Sequence, residues 1–266
     1  MSRIITLTTD FGTADGFVGA MKGVILSICP DARIVDITHD IPPQDVLSGA
    51  LTLEAAAPHF PPNTIHVAVI DPGVGSDRAP LYVETRKHFF IGPDNGLFDL
   101  VSAGRFVRAM KLTTPAFFSA SPSATFHGRD IFAPAAAHLA GGAEVEHLAE
   151  PVSTLVRLDF PQPERKGYDL EAHVIHVDRF GNLITDLRRF EYDDWNRENA
   201  PVELVLAGRR IEGVKQTYAD VPDGDIVAYF GSSNRLEIAI RNNSALALFQ
   251  WTLATARGQA VLLKKA

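Results

Sequence analysis

The chain has 266 residues, of which 46% are hydrophobic and 21% charged, and its formal net charge is −7. This length fits one large domain or two modest ones, and the composition is that of an ordinary globular protein. A negative net charge without a cluster of Lys and Arg argues against a nucleic-acid partner, and a single cysteine excludes an internal disulfide and a thiolate metal cage. Without an apolar run of membrane-helix length or a secretory signal, we expect a cytoplasmic protein that makes no membrane contact.

The first 150 residues alternate between strand-like and helix-like segments. A β-branched run at 4–9 leads into the turn Asp10-Phe11-Gly12, and apolar residues then recur at helical spacing from 17 to 28. Further strands are predicted at 33–38, 65–70, 81–84 and 89–91, and further helices at 45–57, at 97–103 and up to about residue 140. This alternation predicts an N-terminal α/β domain, residues 1–157, whose central sheet is parallel or mixed and mostly parallel.

The pattern changes near residue 150. Prolines at 151, 161 and 163 indicate a linker, and short strand-like runs follow at 173–177, 202–206, 226–230 and 236–240. Glycine and Asn/Asp turns separate these runs, which is typical of a small antiparallel barrel or sandwich. We therefore predict a smaller, β-barrel-like C-terminal domain at residues 168–266.

Polar clusters in the N-terminal domain follow predicted strands or precede a predicted helix: Asp10, Asp71 with Arg78, and His127 with Arg129 and Asp130. Ligands of open α/β sheets bind at the carboxyl ends of the strands, so these clusters could converge there. A carboxylate, a guanidinium and an imidazole can together hold and polarise a water molecule. Each residue also has an ordinary alternative as a turn residue, a solvated loop charge or a core histidine.

A metal site is a competing interpretation of the same region. Oxygen and nitrogen donors of the kind used by hydrolase metals occur at Asp10, Asp36, His39, Asp40, Asp71 and His127. There is, however, no His-Glu-x-x-His motif, no P-loop and no G-x-G-x-x-G. The sequence therefore favours a site without metal but leaves a metal-dependent hydrolase open.

In the C-terminal domain, two turns carry side chains suited to a nucleoside. Asn182 and Ser232 could contact a purine edge or an amino-acid head group, and Phe180 could stack on a ring. Gly, Asn and Ser are also what ordinary β-turns use, so this pattern alone does not decide between the two interpretations.

Taken together, these segments resemble one family over nearly the whole chain, the S-adenosyl-L-methionine (SAM) hydroxide adenosyltransferases, or adenosine-forming SAM hydrolases, relatives of fluorinase and chlorinase. The resemblance is carried by LTTDFG (7–12), GAMKG (19–23), ITH (37–39), DPGVG (71–75), GPDNG (92–96), TFHGRD (125–130), DRFGN (178–182) and residues 232–242. Several motifs in the same order are far more specific than any one of them.

The resemblance implies a role for each matching residue. Asp71, Arg78 and His127 would hold and activate the attacking water, with Asp71 and His127 accepting a proton, and Asp10 would grip both ribose hydroxyls. The resemblance implies contacts at the methionine end for Asp178 and Ser232, and contacts around the adenine for Phe180, Asn182 and Tyr218. Further substrate contacts are implied at Phe126, Ser233, Glu237 and Ile240. SAM would be the substrate, with no cofactor and no metal. The resemblance also implies a homotrimer, with substrate between the N-terminal domain of one subunit and the C-terminal domain of the next.

Departures from the halogenating relatives favour hydrolysis. Those relatives surround the halide with Tyr and Ser-type residues, whereas Asp71 would repel an anion. The insertion that fluorinases carry before the strand at 89–91 is also absent here. Gln44 replaces a tryptophan that packs on the sugar in fluorinases, which puts the contacts of that wall in question. A halogenase-like enzyme, a metal-dependent nucleotide hydrolase and a non-catalytic SAM-binding protein remain the alternatives.

Overall fold

The protein is described by a computed structural model that covers residues 4–102 and 106–265. The chain divides into two compact units, with the boundary between residues 159 and 160. Each unit has its own hydrophobic core. Within the described ranges, no helix combines the length and the apolar character needed to cross a bilayer.

The N-terminal unit alternates strands and helices. In chain order these are β1 (Ile4–Thr9), α1 (Phe17–Ile28), β2 (Arg33–Thr38), α2 (Val46–Ala56), β3 (Ile65–Val69), β4 (Pro80–Glu84), β5 (Phe89–Pro93), α3 (Asp99–Ser102), β6 (Arg108–Leu112), α4 (Ala133–Ala140) and β7 (Ala149–Pro151). The helix predicted at 97–103 is the short α3, and Ala103 lies outside the described residues.

These strands form one sheet in the order β2-β1-β3-β5-β4-β6-β7. The pairings among β2, β1, β3 and β5 are parallel, and those from β5 through β4 and β6 to β7 are antiparallel. The predicted α/β class is confirmed, with a sheet that is parallel at one side and antiparallel at the other. β1 and β3 are neighbours in the parallel part, so Asp10 and Asp71 both follow strands that end at the same sheet edge.

Burial explains why the central strands are continuous apolar runs. All five residues of β3 are buried, because helices cover both faces of the parallel part. Met21 and Ile25 of α1 pack with the alanines of α4 in the main core. On α2, a Cβ added to Gly49 would come within 2.8 Å of Ile70 Cδ1, so that helix packs closely against the chain after β3.

The C-terminal unit is built mainly from short strands. Its elements are β8 (Glu164–Lys166), β9 (Asp169–Val177), β10 (Leu183–Arg188), α5 (Arg189–Trp195), β11 (Val202–Leu206), β12 (Arg209–Glu212), β13 (Val214–Lys215), β14 (Ile226–Phe230), β15 (Arg235–Ile240), α6 (Ala245–Leu248), α7 (Leu253–Ala256) and β16 (Ala260–Lys265). The strand order is β12-β11-β16-β9-β10-β15-β14-β13, with β8 beside β9. β12 also contacts β14, so the sheet nearly closes on itself, and the predicted barrel-like domain is confirmed.

One buried histidine on β3 makes stability depend on pH. His66 is fully buried, and its Nδ1 lies 2.8 Å from Thr6 Oγ1 while its ring stacks on Phe90. Burial, assisted by the neighbouring His88, lowers the pKa of His66 from 6.5 to about 3. The unfolded chain therefore binds a proton below pH 6.5 that the folded chain does not bind until about pH 3, so stability falls as the pH falls through this window.

We expect His66→Phe to flatten this dependence, because the variant removes a contribution of up to about 1.4 kcal/mol per pH unit to the free energy of unfolding. Thr6→Val is the matched control, since it disrupts the same hydrogen bond but retains the histidine and its slope. Urea unfolding at several pH values below 7, followed by circular dichroism, measures the effect. Tryptophan fluorescence would not serve, since Trp195 and Trp251 both lie in the C-terminal unit. Parallel curves for wild type and His66→Phe would contradict the assignment.

Candidate active site

Asp10 lies in the turn directly after β1 and is fixed by the neighbouring loop. Its Oδ2 accepts a hydrogen bond from the backbone N of Gln44 at 2.7 Å. Gln44 has φ of +65°, a conformation that non-glycine residues seldom adopt, so this hydrogen bond helps to hold a strained loop. A second tie joins the two segments, from the N of Gly12 to the O of His39 at 2.8 Å. The aspartate carboxylate is therefore positioned before any ligand arrives.

Asp71 follows β3, and the chain turns back so that Arg78 grips it. Arg78 Nε lies 3.0 Å from both carboxylate oxygens, and Nη2 makes a further short contact with Oδ2. The two side chains are only 5% and 8% exposed. Gly75 in the turn has φ of +79°, and a Cβ there would meet Ala124 O at 2.7 Å, so a side chain would disturb this loop.

The same guanidinium also contacts His127. Arg78 Nη2 lies 2.7 Å from His127 Nδ1. An arginine can only donate, so Nδ1 must accept, and the neutral ring then carries its proton on Nε2. Burial and then the charge of Arg78 lower the pKa of His127, which favours this neutral form, although Asp71 and Asp130 act in the opposite direction. While it is bound to Arg78, His127 presents a hydrogen-bond donor at Nε2. The ring can accept the expected proton only once the contact with Arg78 breaks, because its unprotonated nitrogen is Nδ1.

Asp10, Asp71 and His127 line one cavity of about 390 Å³. Its other walls include Phe11, Phe17, Phe126, Gln44, Val69 and Gly128. The rings of Phe11, Phe17 and Phe126 pack edge to face, with centroids 5.3–6.1 Å apart. Arg78 lies behind Asp71 and His127 and contacts both. Each of the three predicted clusters thus contributes one side chain to this cavity, namely Asp10, Asp71 and His127.

Two members of the predicted His127 cluster serve the loop instead. Arg129 pairs with Asp130 through Nε and Nη2 at 2.7 and 2.8 Å. Asp130 also accepts from the N of Ser123 at 2.8 Å, and its backbone O accepts from the N of Ser119 at 2.9 Å. The Arg129 guanidinium covers the Phe126 ring at 5.0 Å. This pair therefore shapes the loop that carries Phe126 and His127.

Asp178 organises the turn between β9 and β10 in the C-terminal unit. Its Oδ1 accepts from the backbone N of Phe180 at 2.9 Å and of Asn182 at 2.8 Å, and its Oδ2 accepts from Asn182 Nδ2 at 2.8 Å. Asn182 is 4% exposed, whereas Phe180 is 77% exposed. A cavity of about 650 Å³ is lined by Phe180, Asn182, Tyr218, Ile240 and their neighbours. Four of the predicted substrate residues thus lie together.

The remaining predicted residues lie elsewhere. Ser232 is exposed, and Ser233 has a buried Oγ for which the described residues provide no partner. Glu237 is 8% exposed and accepts from Tyr229 at 2.5 Å instead of lining the cavity. Sequence reasoning missed Tyr229. A signal was available, since Tyr229 and Glu237 are polar side chains within two mostly apolar segments that form adjacent strands, where the two residues pair directly.

The residues that the structure describes do not form the kind of metal site that the sequence left open. Among these residues, no group of three or more His, Cys, Asp and Glu side chains is placed to hold an ion. Two of the candidate donors have other partners: Asp36 accepts from Lys22 at 2.6 Å and lies 3.1 Å from His39 Nε2.

Family models match both units. The model described as the SAM hydroxide adenosyltransferase N-terminal domain matches residues 5–149, and that of the C-terminal domain matches residues 172–256. The chain belongs to this family.

Individual relatives agree with the domain matches. A protein named (R)-S-adenosyl-L-methionine hydrolase from Salinispora arenicola is 39% identical over 254 residues, covering 93% of this chain and 94% of that protein. A protein named fluorinase from Nocardia brasiliensis is 28% identical over 284 residues and covers 92% of each chain. The crystal structure of an uncharacterised conserved protein from Thermotoga maritima superposes with a TM-score of 0.88 at 29% identity, covering 98% of this chain and all of the other. The resemblance predicted from the motifs is confirmed.

Proposed function

We propose that this chain is an adenosine-forming SAM hydrolase, in which water attacks the ribose C5′ and methionine leaves. The observation that carries the proposal is the contact of Arg78 with both Asp71 and His127, which share a cavity with Asp10. The greater identity to a named hydrolase than to a named fluorinase supports hydrolysis over halogenation.

The proposed step exchanges one bond for another at C5′. An oxygen lone pair of water forms the C5′–O bond in line with the C5′–S bond, whose electron pair leaves with the methionine sulfur. The sulfonium is already a good leaving group, so what the protein must supply is an oriented and partly desolvated nucleophile. The products are adenosine, methionine and one proton.

The site residues divide this work. Asp71 accepts a hydrogen bond from the attacking water and takes its proton, because the ion pair with Arg78 fixes the orientation of its carboxylate. The Arg78 charge favours the developing hydroxide, and His127 Nε2–H donates to the same oxygen. Asp10 holds the ribose hydroxyls so that C5′ faces the water. Phe180, Asn182, Tyr218 and Ile240 bind the adenosine part, and Asp178 supports Asn182.

Incubation of purified protein with SAM in H₂¹⁸O tests the proposal. We expect equal amounts of adenosine and methionine, with ¹⁸O in the 5′-hydroxyl of adenosine and unchanged rates in EDTA. Formation of 5′-chloro-5′-deoxyadenosine in chloride would identify a halogenase. Loss of activity in EDTA would indicate a metal-dependent hydrolase, and stoichiometric binding without turnover would indicate a binding protein.

We also infer a homotrimer and a cytoplasmic location. The first rests on the family resemblance and the second on the composition of the chain. Sedimentation velocity and cell fractionation test them separately.

A further inference from the structure

A chain of hydrogen bonds leads away from Asn182 into the core of the C-terminal unit. Asn182 Nδ2 lies 3.1 Å from the Tyr218 hydroxyl, which makes a short contact with the Tyr229 hydroxyl. Tyr229 in turn lies 2.5 Å from Glu237 Oε2. The chain thus joins a residue of the cavity wall to a carboxylate buried behind it.

The carboxylates of Asp178 and Glu237 at the two ends fix the donor and the acceptor of every hydrogen bond in this series. Asp178, as a carboxylate, can only accept, so the Asn182 atom beside it is the amide nitrogen and not the oxygen. The second amide hydrogen goes to Tyr218. Tyr218 then donates to Tyr229, and Tyr229 donates to the Glu237 carboxylate, so each hydroxyl accepts once and donates once.

This polarity leaves Asn182 with one type of polar atom to offer. Both amide hydrogens are used, and the described residues supply no donor to Oδ1. Because Asn182 lines the cavity, a ligand there meets a hydrogen-bond acceptor. An amino group satisfies such an atom, whereas a carbonyl oxygen at the same place leaves two acceptors facing each other.

The inner end of the chain is held by packing. Tyr229 is 6% and Glu237 8% exposed, and the two residues are register partners on β14 and β15. A Cβ at Gly231 would lie 1.8 Å from Glu237 Oε1, so the carboxylate occupies space that only a glycine leaves free. Neither Tyr229 nor Glu237 lines the cavity, so both act on a ligand through Tyr218 and Asn182.

We propose that Tyr229 and Glu237 are positioning residues that keep Tyr218 an acceptor for Asn182, and that Asn182 Oδ1 thereby selects the amino group of adenine over the carbonyl oxygen of hypoxanthine. The proposal rests on the proposed function for the identity of the base. It assigns to Glu237 an indirect role in place of the substrate contact implied by the resemblance.

Calorimetric titration of the full chain with adenosine and with inosine tests the selection apart from turnover. We expect wild type to bind adenosine at least about tenfold more tightly than inosine. Tyr229→Phe and Glu237→Gln should weaken adenosine binding about fivefold to tenfold while changing inosine binding less than about twofold, since one oriented hydrogen bond is lost. With SAM as substrate, the same variants should raise KM by that factor and leave kcat within about twofold.

Tyr168→Phe and Glu212→Gln are matched controls, because these side chains are exposed and take no part in the hydrogen bonds that link Asn182 to Glu237. They should bind as wild type does. If Tyr229→Phe fails to fold, Tyr218→Phe removes the outer hydroxyl from a partly exposed position and should narrow the selectivity in the same way.

The possible failures are distinct. An unchanged ratio of adenosine to inosine affinity in Tyr229→Phe and Glu237→Gln overturns the inference, as does an equal weakening of both ligands. A wild type that discriminates between the two nucleosides but does not cleave SAM retains the inference and refutes the proposed hydrolysis.

Discussion

Replacing Arg78 with methionine is expected to lower kcat for SAM about 10³-fold and to destabilise the N-terminal unit by about 3 kcal/mol. The guanidinium contacts both Asp71 and His127. Its loss leaves the nearly buried Asp71 carboxylate without its partner and removes the charge that favours hydroxide. Product formation by chromatography and urea unfolding followed by circular dichroism measure the two effects.

A double-mutant cycle separates stability from catalysis. Asp71→Asn in the Arg78→Met background removes the uncompensated charge, so we expect stability to recover by about 2 kcal/mol while activity stays lost. Arg86→Met, at an exposed arginine in the β4–β5 turn, is the matched control and should behave as wild type. If Arg78→Met retained more than about a tenth of the wild-type kcat, the assignment of hydroxide stabilisation to Arg78 would be wrong.

Local sequence patterns were enough to predict most of the fold. The β-branched run of β1 and the apolar run of β3 predict strands, because their side chains are buried in the sheet. A parallel or mixed N-terminal sheet was predicted, but not which of its strands are antiparallel, since strand direction depends on long-range pairing. β4 and β5 carry no local signal of their orientation beyond the short turn that joins them.

In the candidate active site, too, local patterns were predictable from the sequence and long-range contacts were not. Asp10, Asp71 and His127 could be singled out because each stands at a turn after a strand or before a helix, where ligands bind. The state of His127 could not be predicted, because it depends on Arg78 reaching Nδ1 from 49 residues away. The role of Glu237 depends likewise on a hydroxyl of the neighbouring strand, a contact that one strand's own pattern does not specify.

The ribose anchor is the second position at which we expect a large effect. Asp10 uses Oδ2 for the backbone N of Gln44, which leaves Oδ1 and the remaining lone pairs for two vicinal hydroxyls. Hydrogen bonds to a charged group contribute about 1.5–3 kcal/mol each, so losing both bonds to the ribose hydroxyls should cost about 10² to 10⁴ in kcat/KM.

Asp10→Asn isolates that contribution. The amide oxygen of the variant can still accept from Gln44 and hold the strained loop, but the amide nitrogen faces the ribose hydroxyls as a donor and the charge is gone. We expect kcat/KM for SAM to fall at least about 10²-fold, mostly through KM, with the stability unchanged within about 1 kcal/mol.

Wild type should discriminate against 2′-deoxy-SAM, and Asp10→Asn should lose most of that discrimination because the carboxylate that recognises the 2′-hydroxyl is absent. Asp15→Asn, at an exposed aspartate five residues along the chain, is the matched control. Equal discrimination by wild type and Asp10→Asn would assign the ribose contact to another residue.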